Sequence, residues 1–180
     1  MSRAAGILMP ITSLPGKYGI GCSSKEAYAF VDWLKEAGQT YWQILPIHPT
    51  SYGDSPYQSF STFAGNPYFI DLEELIEEGL LTREECDSMD FGDDEDDIDY
   101  EDQYQNRYIL LTMAYERSNI SQNPDYQRFV EENRWWLDDY ALFMALKGFF
   151  GGQCWNEWPQ DIRLRWGYSM DYYRRELYFD

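Results

Sequence analysis

Two short apolar runs flanking one amphipathic stretch constrain the fold of this 180-residue chain more than any other feature. Gly6-Ile7-Leu8-Met9 is apolar and stops at Pro10, the pattern of a short buried strand. Ser23, with Glu26 three residues on, predicts a capped helix start. Ala27, Phe30, Val31 and Leu34 then recur at helical spacing and make one apolar stripe. Gly38 offers a stop for that helix. Tyr41-Trp42-Gln43-Ile44-Leu45 reads as a second strand, ended by Pro46. Strand, helix and strand in this order predict a βαβ unit with parallel strands and a right-handed crossover, and so an α/β fold class.

Beyond Ile70 the pattern is mostly helical. Tyr68-Phe69-Ile70 reads as a short strand, and Asp71 caps a helix that Gly79 ends. Thr82 with Glu85 forms a second capping box. Residues 93–102 hold eight carboxylates and cannot pack a core, so they are expected to be a solvated linker. They lack the residue order of a calcium loop. Helices are expected at about Gln103–Arg117, with Leu110, Met113 and Ala114 as its stripe, and from Pro124 to about Phe150. The second stripe runs from Phe129, Val130, Trp136 and Leu137 to Leu142, Phe143, Ala145 and Leu146. After Trp155 the chain is Tyr- and Arg-rich with no closing strand. The expected divisions are 1–72 for the βαβ unit and its loop, 73–152 for a helical insertion, and 153–180 for a return toward the sheet.

Charge and composition exclude several functions. With 32 acidic against 14 basic side chains the net charge is −18, which disfavours nucleic-acid and anionic-membrane partners. Forty-four per cent apolar residues and ten Phe, seven Trp and 16 Tyr can fill a core, which argues against disorder. No stretch approaches the roughly 18 apolar residues of a membrane span. The N-terminus, with its apolar run broken by Pro10, makes a poor signal peptide. Cys22, Cys86 and Cys154 are scattered and odd in number, so we expect no disulfide framework, no metal site and a cytoplasmic location. Asn119-Ile120-Ser121 is then a chance glycosylation sequon, and Gly19-Ile20-Gly21 is only half a dinucleotide fingerprint. His48, the single histidine, has no Ser or Cys nucleophile context and reads as a loop histidine.

The stretch from Pro46 to Pro67 has neither a helical nor an alternating period, yet it is rich in aromatics. A structureless loop of that length in a compact domain is usually functional or disordered, and Tyr52, Tyr57, Phe60 and Phe63 argue against disorder. In parallel α/β folds the loops after strands carry ligands. Tyr52 and Tyr57 offer flat faces with polar tips, suited to stacking on a pyranose ring. Asp54, Ser55 and Gln58 offer partners for sugar hydroxyls, and Pro56 stiffens the backbone between them. By residue type alone the loop fits a sugar-facing surface and a packed structural Ω-loop equally well.

An ordered series of motifs separates these readings. Thr12-Ser13-Leu14-Pro15-Gly16, Tyr18-Gly19-Ile20-Gly21, Phe30-Val31-Asp32-Trp33-Leu34, Gln43-Ile44-Leu45-Pro46, Gly53-Asp54-Ser55-Pro56-Tyr57-Gln58-Ser59 and Ala64-Gly65-Asn66-Pro67 follow one another. Asp139-Tyr140-Ala141-Leu142-Phe143-Met144 and Trp155-Asn156-Glu157-Trp158-Pro159 extend the series. Together they resemble the N-terminal part of the 4-alpha-glucanotransferases, the amylomaltases or disproportionating enzymes of bacteria and plants.

The resemblance implies a (β/α)8 barrel with helical insertions between its early strands. It implies transfer of an α-1,4-glucan segment to the 4-hydroxyl of an acceptor glucan or glucose, with maltooligosaccharides as substrates and no metal or organic cofactor. The mechanism would be retaining, with one carboxylate as nucleophile and a second carboxyl as acid and base. Tyr57 matches the family tyrosine lining the reacting-sugar subsite, Ser55 a donor-side contact, and Tyr52 an aromatic of a secondary glucan contact.

The family's catalytic carboxylates lie on later barrel strands, and a barrel takes about 250 residues. The chain is therefore expected to be the N-terminal portion of such an enzyme, with its catalytic residues C-terminal to Asp180 and no transfer activity alone. Asp32, Asp54 and Asp71 do not match catalytic positions. The rival reading is a non-catalytic glucan-binding or assembly module. A third, an acidic nucleic-acid mimic, rests on net charge alone.

Overall fold

The first βαβ unit forms in the expected order, with strands that stop at Leu8 and Gln43, short of the expected ends at Met9 and Leu45. Strand β1 (Gly6–Leu8) is followed by helix α1 (Lys25–Glu36) and strand β2 (Tyr41–Gln43). The strands pair in parallel, with Gly6 opposite Tyr41 and Leu8 opposite Gln43. A Cβ at Gly6 would lie 2.5 Å from the Tyr41 carbonyl oxygen, so the close approach requires glycine. The structure is a computed structural model that describes residues 3–51, 53–94 and 97–178.

Helix α1 is capped one residue later than expected. The Ser24 side chain accepts from the Glu26 amide, while the Ser23 amide donates to the Phe69 carbonyl at 3.1 Å and is committed there. Of the predicted stripe, Leu34 is buried and Phe30 packs edge-on against Trp42 with centroids 5.0 Å apart. Val31 stays 47% exposed, because two strands are too narrow to cover the whole stripe. Gly38 takes φ +71° and ends the helix as anticipated.

Contacts divide the chain into two compact units, Met1–Ile120 and Ser121–Asp180, so residues 73–152 are shared between them. In the first unit, the expected strand at Tyr68–Ile70 is instead a 3-10 turn over Pro67–Phe69. Pro67 fixes its own φ, and Asn66 accepts from the Tyr68 amide at 3.0 Å, which together start a helical turn. Helix α2 (Leu72–Glu77) follows, capped by Asp71 and ended at Gly79. Helix α3 (Arg83–Asp87) begins with both bonds of the Thr82–Glu85 capping box.

The acidic stretch is irregular over 93–94 and 97–98, and residues 95 and 96 lie outside the described residues. Its end is not linker. Asp99 caps helix α4 (Tyr100–Asp102), and Glu101 and Asp102 sit in the first turn, where the helix dipole favours negative charge. A π-helical turn over Gln103–Arg107 then leads into α5 (Tyr108–Arg117). Leu72, Leu81, Cys86, Phe91, Leu110 and Ala114 close around Tyr18 as the core of this unit.

The second unit is built on α6 (Pro124–Phe149). Asn123 caps it, and Pro124 occupies the first helical position, where its missing N–H is harmless. Only the later half of the stripe reaches a core: Leu142 and Leu146 are buried, and Phe129 is 47% exposed. Their partners come from the tail, which forms α7 (Gln160–Arg163) and α8 (Gly167–Glu176). Trp158, Ile162 and Met170 complete this core. Among the described residues no helix is long and apolar enough to cross a membrane.

Glu73 ties three segments of the first unit together. It accepts from the Tyr18 hydroxyl at 2.9 Å and from both terminal nitrogens of Arg83 at 2.7 and 2.6 Å. The Arg83 bonds are the main reason its carboxyl falls from an ordinary 4.5 to about 2, with the Tyr18 bond adding to them. A carboxyl lowered on folding stabilises the native state above its unfolded pKa, and that stability is lost as pH falls through the folded value. Wild type should therefore lose stability between about pH 4.5 and 2. In Glu73→Gln that part of the acid-induced loss should be missing, as urea midpoints measured across this pH range will show.

Candidate functional site

The long loop after β2 is closed on itself by local hydrogen bonds. Thr50 and Ser59 form an antiparallel bridge at its neck. Within the neck, the Asp54 amide donates to Ser51 and the Gln58 amide to Ser55, each at 3.0 Å. Gly53 and Asp54 both take left-handed backbone angles, φ +77° and +53°. Glycine does so freely, and aspartate is one of the few other residues that does so at modest cost. The base is held by the Asn66 amide on the Ile47 carbonyl at 2.9 Å. His48 Nδ1 lies 3.3 Å from the Ala64 carbonyl, which makes it a loop histidine bound to loop backbone.

A cleft opens between this loop, the loop after β1, and the start of α4. Thr12, Leu45, Asp54, Pro56, Tyr68 and Tyr100 stand in its wall. Of the residues singled out by sequence, Asp54 lines the cleft directly. Ser55 is half-buried, and its Oγ accepts from the Tyr57 amide at 3.3 Å. Tyr57 is 73% exposed, with its ring in solvent, and Gln58 is exposed beside it. Among the described residues the wall includes Asp54 and Pro56 but not Ser55, Tyr57 or Gln58. Tyr52 lies outside the described residues.

Tyr68 and Tyr100 are site residues that sequence reading missed. Tyr68 sits next to Pro67 in a segment read as strand, and Tyr100 lies within the acidic run read as linker. Their rings lie 6.3 Å apart, and Tyr108 packs edge-on against Tyr68 at 6.2 Å. Burial, reinforced by Tyr108 and the Asp54 carboxylate, pushes the Tyr68 hydroxyl well above the ordinary tyrosine range. Burial, with Asp54 again adding, raises Tyr100. Both hydroxyls thus stay protonated at neutral pH. A wall of two aromatic faces, one carboxylate and a threonine hydroxyl suits a ligand with apolar C–H faces and many hydroxyls. Among the described residues no three His, Cys, Asp or Glu side chains group as a metal site.

This geometry belongs to a recognisable class. A family profile described as 4-alpha-glucanotransferase matches residues 9–179, and the chain belongs to that family. The 4-alpha-glucanotransferase of Clostridium butyricum is 50% identical over 169 residues, covering 94% of this chain and 35% of the relative. That of Thermus thermophilus is 48% identical over 169 residues, covering 92% and 33%. Among solved structures, an amylomaltase from Streptococcus agalactiae in complex with acarbose matches with a TM-score of 0.89 at 41% identity, over 98% of this chain and 36% of that one. The chain thus spans about a third of the length of the relatives it matches.

Within the cleft, Asp54 is the group whose charge is least comfortable, because burial raises its pKa. A carboxyl raised on folding lowers native stability once pH exceeds its unfolded value, and the penalty is complete above the folded one. Asn also tolerates the left-handed backbone at this position. Asp54→Asn should therefore raise the melting temperature at pH 7 and leave it near wild type at pH 3, which a pair of thermal melts will test.

Proposed function

We propose that residues 1–180 open the (β/α)8 barrel of a 4-alpha-glucanotransferase and form the part of its glucan-binding surface built on the loop after β2. The observation that carries this reading is the Gly53–Gln58 turn, which holds Tyr57 73% exposed beside a cleft walled by Asp54, Tyr68 and Tyr100. An exposed ring next to a hydroxyl-rich cleft supports a sugar-facing role for a loop that is also closed on itself. The parallel pairing of β1 and β2 across a helix is the repeating step of such a barrel.

In this reading Tyr57 stacks on the reacting sugar, Ser55 contacts the donor side, and Asp54 and Gln58 take sugar hydroxyls. Tyr52 contributes to a second glucan contact. The substrate is an α-1,4-glucan or maltooligosaccharide. The nucleophile and the acid/base are carboxyls on barrel strands other than β1 and β2, separated by about 5 to 5.5 Å as double displacement with retention requires. None of Asp32, Asp54 or Asp71 serves in that pair. The cysteines are all free, with Cys22 and Cys86 buried, which fits a reducing compartment such as the cytoplasm.

The 180-residue protein should bind maltotriose in ligand-observed NMR without converting it to glucose and longer maltodextrins. Tyr57→Ala should weaken that binding by about tenfold, the scale expected for one lost aromatic–sugar stack. Its melting temperature should hardly change, since the ring is exposed. Turnover by these residues alone would overturn the placement of the catalytic carboxyls. Unchanged affinity in Tyr57→Ala would overturn the role of the loop.

A further inference from the structure

Behind the aromatic wall lies a charged group that neither the core nor the proposed chemistry explains. Arg107 is 1% exposed, and Gln103, four residues before it, is fully buried. Both sit on the π-helical turn. Arg107 Nη2 donates to the Ile70 carbonyl at 3.0 Å and Nη1 to Gln103 Oε1 at 3.2 Å. Gln103 Nε2 in turn donates to the Tyr18 carbonyl at 2.7 Å. The Nε of Arg107 has no partner, and among the described residues no carboxylate forms an ion pair with it. The guanidinium's hydrogen bonds go to neutral acceptors, with the Asp71 carboxylate acting on it only at longer range, and burial lowers its pKa, so it costs stability relative to an apolar side chain of similar size.

What that arrangement secures is the back of the cleft. The Ile70 carbonyl closes the segment that carries Tyr68 and Phe69, both of which line the cleft. The helix bearing Arg107 also carries Tyr100 and Tyr108, the two rings packed on Tyr68. One planar fork therefore spans the two segments whose aromatics must stay in register. Gln103 adds the third segment, the loop around Tyr18. The fit there is tight, since a Cβ at Gly19 would lie 2.8 Å from Gln103 Nε2 and 2.3 Å from the Phe91 carbonyl oxygen.

We propose that Arg107, oriented by Gln103, is a positioning residue that sets the spacing of Tyr68 against Tyr100 and thereby the affinity of the cleft for an α-1,4-glucan. This rests on the glucan reading above. Its effect on the cleft and its effect on folding stability can be measured apart.

The test is the dissociation constant of maltotriose, by ligand-observed NMR on the 180-residue protein, at a temperature well below every variant's melting transition. Arg107→Met should raise it about tenfold and Arg107→Lys, which retains the charge and one donor toward Ile70, about threefold, the scale of lost charge-assisted hydrogen bonds. Gln103→Leu should shift it in the same direction. Variants that melt lower but bind as wild type would overturn the proposal, because a merely structural arginine predicts that result. If Arg107→Met does not fold, Arg107→Lys decides, and a constant within error of wild type overturns the proposal. Wild type that does not bind maltotriose would overturn the glucan reading itself, and this inference with it.

Discussion

The first unit is organised around a chain of direct hydrogen bonds running from the Tyr18 carbonyl through Gln103 and Arg107 to the Ile70 carbonyl. Three segments far apart in sequence end on this chain, and each brings one side of the cleft. The loop before α1 is pinned by its backbone, the segment before α2 by its carbonyl, and the helix by the side chains themselves. Hydrophobic contacts among Leu72, Cys86 and Leu110 fill the space around it, but such contacts are non-directional. The directional bonds decide which of the possible packings places Tyr68 against Tyr100.

Around that centre the surface ion pairs play a different part. Glu73 is partly solvated, and its bonds to Tyr18 and Arg83 hold α2 to the neighbouring segments without burying a charge. Arg117 does the same for α3 through Glu85, the residue that also closes the capping box. Exposed pairs of this kind contribute modestly one by one, and these two work because each carboxylate also serves a second donor. A net charge of −18 is therefore not spread idly over the surface: several of the carboxylates cap helices or bridge them.

Local signals were legible wherever a few neighbouring residues decide the outcome. The caps at Asp71 and Thr82 and the stops at Gly38 and Gly79 follow from chemistry within one turn, whereas the strands stop at Leu8 and Gln43, before the prolines expected to end them. Ser24 took the place of Ser23 because a bond to Phe69, distant in sequence, claimed the earlier amide. Tyr68–Ile70 looked like strand because its residues favour extended structure, yet Asn66 and Pro67 impose a turn. Tyr100 was hidden by its acidic neighbours, since a window that scores charge sees a linker and not the helix start Asp99 makes there. The buried Arg107 was illegible altogether, because a basic residue on a helix reads as surface. As for the loop, sequence pointed to Gly53–Gln58, while the cleft wall itself owes as much to rings contributed from elsewhere.

The π-helical turn has one more consequence, for length variation. Five residues close a turn that a regular helix closes with fewer, so the segment holds one residue more than an α-helix of the same rise. Deleting a single residue between 103 and 107 would relax the turn to regular geometry, a change that looks conservative on paper. Every side chain after it would nonetheless keep its facing, because five residues in the wider turn sweep about the same angle as four in a regular helix. The same deletion within α5 would instead swing each later side chain by roughly 100° about the helix axis and carry Ala114 out of the core. The extra residue in this turn is therefore the one length change the helix can absorb without rephasing the ring in the cleft and the core side chains below it.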